Sequence, residues 1–320
     1  MASKERPGFL PALRAWLRLV RIEHALLSAF GVLVGWMLAS RLPNCVFVET
    51  VRPVLLSEIP APSFTTTAFT LTFVLLVPVL INVGAFALND YWDVKADRLN
   101  KRKERPLVLG ELSPAIALAT GIAGIVLGVL AGVLINFAAG FIALLFALLS
   151  VAYSKFLKDW PLAGNLSIAL SMAIAFLFGS VAAGVPLACT GMAVWILCAG
   201  AALGGFGREL VKTVQDMEGD KEARGSRSLP HVIGKLGSLR LAAASFVLYG
   251  VSVPMLVLAS PVLQWNPLSL GLLAISVLAF IAMAWQVVRP KADADILERV
   301  RSSSLYALAL ALLAVLLACI

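Results

Sequence analysis

Charged residues punctuate the chain, leaving six long stretches that contain no Asp, Glu, Lys or Arg: 24–40, 59–89, 112–154, 160–207, 241–288 and 302–320. A helix needs roughly 20 apolar residues to cross a bilayer, and a charge near its centre costs several kcal/mol. The first, second and sixth stretches therefore predict one span each. The other three are long enough for two. Turn signals fall near their middles, at 132–136, at 184–191 with Pro186, and at 260–267 with Gln264 and Asn266. The expectation is an all-α, polytopic membrane protein of nine transmembrane helices, with 1–320 forming a single membrane-embedded domain and 1–23 an amphipathic lead-in. Membrane strands are shorter and alternate in polarity, so a barrel does not fit these continuous runs.

Composition strengthens this picture. Of the 320 residues, 60% are hydrophobic and only 14% charged, and the mean hydropathy is +0.94. A water-soluble fold would have to expose that apolar surface. The net charge is +8. Nine spans put every Lys and Arg except Arg41 and Arg52 on the side of the N-terminus. That asymmetry predicts a multi-pass protein of the cell membrane, with the N-terminus and charged loops cytoplasmic and the C-terminus outside. The bilayer, rather than nucleic acid, is the implied partner of the basic excess. The first apolar stretch is read as a retained span, not a cleaved signal.

Smaller features add little chemistry. Cys45, Cys189, Cys198 and Cys319 lie in or beside apolar runs with no CxxC pair and read as small hydrophobes. His24 and His231 are too few for a zinc enzyme. Gly124, Gly128 and Gly132, with Gly121 before them, predict close helix packing, and Pro254 a kink. Residues 11–23 alternate apolar positions with Arg14, Arg18 and Arg21, which fits an amphipathic helix on the inner leaflet or the first turns of span one.

Two acidic clusters stand out. The first, at the end of span two, contains Asn89, Asp90, Asp93 and Asp97. On a continuous helix, the three carboxylates share a side. Such a stack is unfavourable alone and becomes sensible when Mg²⁺ bridges it, although the acids also balance the neighbouring Lys95, Arg98, Lys101, Arg102, Lys103 and Arg105. The second cluster, after span six, holds Arg208, Glu209, Lys212, Asp216, Glu218 and Asp220, with Gly219 able to end the helix between the last two. Two such clusters on one side suit metal ions gripping a diphosphate. Arg21, Lys155, Lys158, Arg208 and Lys212 supply positive charge for phosphate, and Asn165 either supports the site or caps a helix.

With these residues in view, the chain resembles the UbiA superfamily of intramembrane prenyltransferases. Positions 89–97 match its Asn-Asp-x-x-Asp-x-x-x-Asp signature, continued by Asn100, Arg105, Pro106 and Gly110. Asp216 and Asp220 represent the second motif, and Tyr153, Ser154, Lys155, Leu157, Lys158, Gly164 and Asn165 resemble the intervening loop. The run from Arg208 to Asp220, followed by Gly225, Arg227, Ser228, Leu229, Pro230 and Gly234, is similar to the archaeal digeranylgeranylglyceryl phosphate synthases.

This resemblance implies Mg²⁺-dependent transfer of a geranylgeranyl group from its diphosphate to geranylgeranylglyceryl phosphate in ether-lipid synthesis. It implies Asp90, Asp93, Asp97, Asp216 and Asp220 as metal-binding catalytic residues. Asn89, Arg21, Lys155, Lys158, Arg208 and Lys212 would bind diphosphate or acceptor phosphate. An aromatic acceptor such as 4-hydroxybenzoate is the second reading, and an ion-coupled transporter a third. Tyr91 and Trp92 either face the allylic cation or mark the membrane interface. Glu218 is open as a proton acceptor. The sequence leaves oligomeric state open.

Overall fold

The computed structural model describes residues 8–41, 64–99, 104–289 and 293–320. Cys45, Arg52, Asn100, Lys101, Arg102 and Lys103 lie outside these residues, as do the first seven of the lead-in. Twelve α-helices are present among the described residues: α1 (Phe9–Val20), α2 (Ile22–Arg41), α3 (Phe64–Leu99), α4 (Pro106–Leu109), α5 (Pro114–Ile135), α6 (Phe137–Lys155), α7 (Ala163–Ala182), α8 (Met192–Arg224), α9 (Leu229–Ala259), α10 (Pro261–Gln264), α11 (Pro267–Val288) and α12 (Ala294–Cys319). Nine of these, all but α1, α4 and α10, are long and apolar enough to span a membrane, which makes this a multi-pass membrane protein.

The hairpins close where the sequence places breaks. Asn136 leaves the helical conformation after α5, and its side-chain oxygen accepts from the Ala139 amide at 2.8 Å to start α6. Ser113, Asn266 and Asp293 cap α5, α11 and α12 in the same way. Pro follows Ser113 and Asn266 at the first helical position, where the missing amide hydrogen costs nothing. Gly219 does not end α8. That helix runs on to Arg224 and stops at Gly225, whose φ of 66° is the left-handed geometry glycine tolerates. The break in α9 falls at Gly234 (φ 76°). Of the two readings of the lead-in, the separate amphipathic helix holds: α1 ends at Arg21 in a left-handed turn (φ 45°), and α2 begins directly after it. Trp16 Nε1 donates to Thr120 Oγ1 at 3.2 Å, docking α1 on α5.

The spans form a closed bundle in which α12 packs against α2, α8 and α11. Glycines set the tightest crossings. A Cβ on Gly124 would lie 2.7 Å from Gly84 N and Leu80 O of α3, and one on Gly179 would lie 2.2 Å from Val32 O of α2. Large apolar side chains such as Leu130, Phe137, Leu258, Leu268 and Leu278 face outward, which suits lipid rather than water. Cys198 and Cys319 are free and buried, as small hydrophobes would be, whereas Cys189 is disulfide-bonded, contrary to that expectation.

Replacing Gly124 with Leu is expected to separate α3 from α5 and lower the melting temperature of detergent-purified protein sharply. Gly271→Ala, which meets nothing within 4 Å, should leave it unchanged or slightly raised, as scanning fluorimetry of the two variants will report.

Candidate functional site

Inside the bundle is a cavity of about 870 Å³. One end is charged. Asn89, Asp93 and Asp97 of α3 line it, as do Arg208, Lys212, Asp216 and Asp220 of α8, together with Arg21, Arg105 and Lys158. The other end is apolar, with Phe176, Leu197, Val253, Leu256, Leu273, Leu308, Leu312 and Val315 among its lining. A polar mouth over an oily chamber is the shape required by a ligand with a highly charged head and a hydrocarbon tail.

The α3 wall follows from helical phase. Residues 89, 93 and 97 succeed one another at intervals of four and project into the cavity as a stripe. Asp90 is rotated about 100° from Asn89, and this takes it out of the cavity lining. It is 1% exposed and accepts from Arg21 Nη2 at 2.7 Å and Arg105 Nη1 at 2.8 Å on the same oxygen, Oδ1. Asp90 is thus the anchor that holds two cavity-lining guanidiniums. Arg105 Nε also lies 3.8 Å from Asp97 Oδ2, and Lys158 Nζ donates to Asp93 Oδ1 at 2.5 Å.

The opposite wall is built by α8. Glu209 is 6% exposed and accepts from Lys212 Nζ at 3.2 Å. Asn165 does not cap α7, whose first turn begins after Leu162 in a left-handed conformation. It donates instead to Thr213 Oγ1 at 2.7 Å, tying α7 to α8 beside the cavity. Because α8 continues through Gly219, Asp216 and Asp220 stay one turn apart on the lining face.

Several expected residues take other places. Lys155 is exposed, and its ammonium lies 5.1 Å from the centre of the Phe156 ring, away from the cavity lining. Tyr91 packs against the small apolar cluster around Leu19, Ala87 and Leu107, and neither it nor Trp92 lines the cavity. The aromatic side chains lining it include Phe86, Phe146 and Phe176, with Arg21 stacked 4.6 Å above Phe86. Glu218 is exposed and lies 4.0 Å from Lys235. Arg105, Glu209 and Arg301, none of them an expected site residue, do line the cavity. Arg105 was visible within the extended first motif. Nothing in the sequence marked Arg301.

Among the described residues, no three His, Cys, Asp or Glu side chains converge tightly enough to hold a metal ion unaided. Two aspartates on each wall still suit Mg²⁺, which is commonly held by one or two carboxylates plus substrate phosphate oxygens and water rather than by an all-protein cage.

Residues 51–305 match the UbiA prenyltransferase family. The chain is 36% identical over 241 residues to a digeranylgeranylglyceryl phosphate synthase of Archaeoglobus fulgidus, covering 75% of this chain and 73% of that protein. A solved structure described as concerning digeranylgeranylglyceryl phosphate synthase in membranes superposes with a TM-score of 0.69 at 27% identity, covering 96% of this chain and 98% of the other. A UbiA homolog from Archaeoglobus fulgidus bound to GPP and Mg²⁺ shares the fold with a TM-score of 0.60 at 19% identity, over 94% and 99% of the two chains.

Removing a buried carboxylate that serves two arginines strips both of their nearest counter-charge. Asp90→Ala is expected to cost about 3–5 kcal/mol of stability. Asp220→Ala, at the more open mouth, should cost less than about 1 kcal/mol. Unfolding in a graded denaturing detergent compares the two.

Proposed function

The chain belongs to the UbiA prenyltransferase family, and we propose that it transfers a geranylgeranyl group from geranylgeranyl diphosphate to geranylgeranylglyceryl phosphate, releasing diphosphate. The observation that carries this reading is the division of one cavity into a mouth with two aspartates on each facing wall and a long apolar chamber. The acceptor is supported by the similarity to digeranylgeranylglyceryl phosphate synthases. We read residues 1–320 as one membrane-embedded unit.

In this reading, Asp93 and Asp97 on one wall and Asp216 and Asp220 on the other hold Mg²⁺, with Asn89 assisting. Bound Mg²⁺ neutralises the diphosphate and makes it a better leaving group. Arg105 and Lys158 meet the diphosphate oxygens, and Asp90 fixes Arg21 and Arg105 for that contact. The prenyl tail lies along the apolar chamber, which keeps water from the allylic carbon. Phe86, Phe146 and Phe176 offer ring faces to positive charge developing there. The C1–O bond breaks with its electron pair on diphosphate, the acceptor hydroxyl oxygen bonds to C1, and its proton passes to the released diphosphate.

The orientation we infer has the N-terminus and the acidic mouth in the cytoplasm and the C-terminus outside, supported by the Lys and Arg distribution over the nine candidate spans among the described residues. An alkaline phosphatase fused after Ile320, active only beyond the cytoplasm, is expected to be active. An inactive fusion reverses the assignment.

Purified protein incubated with radiolabelled geranylgeranyl diphosphate, Mg²⁺ and geranylgeranylglyceryl phosphate should yield the diether phosphate. Chelation should stop the reaction and added Mg²⁺ restore it. Asp93→Ala and Asp220→Ala are each expected to lower turnover on the order of a hundredfold or more in folded protein. Product from 4-hydroxybenzoate but not from the glycerol phosphate would instead select the aromatic-acceptor reaction.

A further inference from the structure

The cations around the mouth are not equivalently engaged. On the α3 side, Arg21 and Arg105 donate to Asp90 at 2.7 and 2.8 Å through their terminal nitrogens, Arg105 Nε being buried without a hydrogen-bond partner, and Lys158 donates to Asp93. On the α8 side, Arg208 lines the cavity with its side chain only 18% exposed. The carboxylate oxygen beside it, Glu209 Oε2, is 4.0 Å away, beyond hydrogen-bond reach, and Arg208 Nε is buried with no hydrogen-bond partner. A guanidinium N–H withdrawn from water and left unmet is costly unless an acceptor completes it.

A second guanidinium shares this wall. Arg301 of α12 lines the same cavity. Arg301 is braced by Glu298, which accepts from Arg301 Nη2 at 2.7 Å and from Gln215 Nε2 of α8 at 3.2 Å. The Gln215 contact moors α12 to α8. It brings Arg301, already paired with Glu298, and Arg208 onto one wall of the cavity. Arg208 also stands eight residues before Asp216 on α8, roughly 12 Å further along the axis toward the apolar chamber.

We propose that Arg208 and Arg301 form the seat of the acceptor's phosphate monoester, distinct from the diphosphate cradle at the aspartates. This assignment rests on the proposed acceptor chemistry. A phosphate monoester carries nearly two negative charges at neutral pH and repels a diphosphate in the same low-dielectric cavity. The two anions therefore need separate cationic partners. Planar guanidinium forks match phosphate oxygens in pairs, which a single ammonium does not.

The test is a cycle between one side chain and one ligand group. With the donor saturating, Arg301→Gln is expected to raise the KM for geranylgeranylglyceryl phosphate about ten- to hundredfold. The KM for geranylgeranyl diphosphate should stay within about twofold. Arg299→Gln removes the same charge from an exposed position on α12 and should change neither constant. Geranylgeranylglycerol, which lacks the phosphate, should be a poorer acceptor than the phosphate for the wild type and no poorer for Arg301→Gln than for the wild type. Arg208→Lys retains the charge without the fork and should show a smaller loss in the same constant. A rise in the donor KM instead, an unchanged acceptor KM, or losses that multiply independently between side chain and phosphate would each overturn the assignment. Wild-type protein that converts no geranylgeranylglyceryl phosphate would reject the underlying reaction, and this site with it.

Discussion

Keeping charge inside a membrane-spanning bundle is the constraint to which the rest of this structure answers. Asp90 is almost wholly buried, yet it serves two guanidiniums at once. Those guanidiniums come from different places: Arg21 from the junction of α1 and α2, Arg105 from the turn before α4. One carboxylate thereby fixes the lead-in helix, the end of α3 and the segment after it to one another. A carboxylate lost from such a centre takes the nearest counter-charge from two guanidiniums, which makes the arrangement rigid as well as expensive to disturb. Rigidity is useful at the cavity mouth, where the same arginines present their remaining donors.

The long apolar intervals made the spans legible, and the structure starts and stops its helices at the turn signals they contain. The site was legible in kind but not in rotational phase. Residues 90, 93 and 97 look equivalent by spacing, since both three- and four-residue steps stay on one side of a helix. The cavity takes the stripe 89, 93 and 97, and Asp90 turns toward α1 and α4. A helix buried around much of its circumference carries too weak a polarity pattern to fix that phase. Lys155 and Lys158 likewise flank the end of one span, but the 3₁₀ turn Leu157–Asp159 between α6 and α7 brings only Lys158 to Asp93. Arg301 enters the wall through packing of α12 on α8, a contact between residues far apart in sequence that no local pattern reports.

The cavity exists because α3 uses two faces differently. On one, Ile81, Gly84 and Leu88 meet Gly128, Gly124 and Gly121 of α5, so the backbones approach closely. On the other, Asn82, Phe86, Asn89, Asp93 and Asp97 line open space. The pairing of α2 with α7 follows the same logic, with Gly35 and Gly179 at the crossing and Gly31 beside the cavity. Without a strong hydrophobic drive between helices in lipid, this close packing at small residues supplies cohesion. Cohesion at the glycine faces lets the opposite faces stay apart.

The apolar chamber has its own anchor. Tyr249 lines it and shares a 2.8 Å hydrogen bond with Ser276, whose hydroxyl in turn donates to Ala307 O of α12. Phe280 lies 4.1 Å from the Tyr249 ring centre and 5.2 Å from that of Phe246. This hydroxyl chain links α9, α11 and α12 at a depth where an unpaired phenol would be costly. The Tyr249 and Ser276 hydroxyls are satisfied by one another and by Ala307 O, so neither competes for a partner in the cavity. A hydrocarbon tail entering there meets a fixed apolar wall, while α12 is held by hydrogen bonds both here and at Glu298 near its charged end. The helix that carries Arg301 is thus pinned at two levels, and the position of its guanidinium over the cavity is set by the bundle and not by the side chain alone.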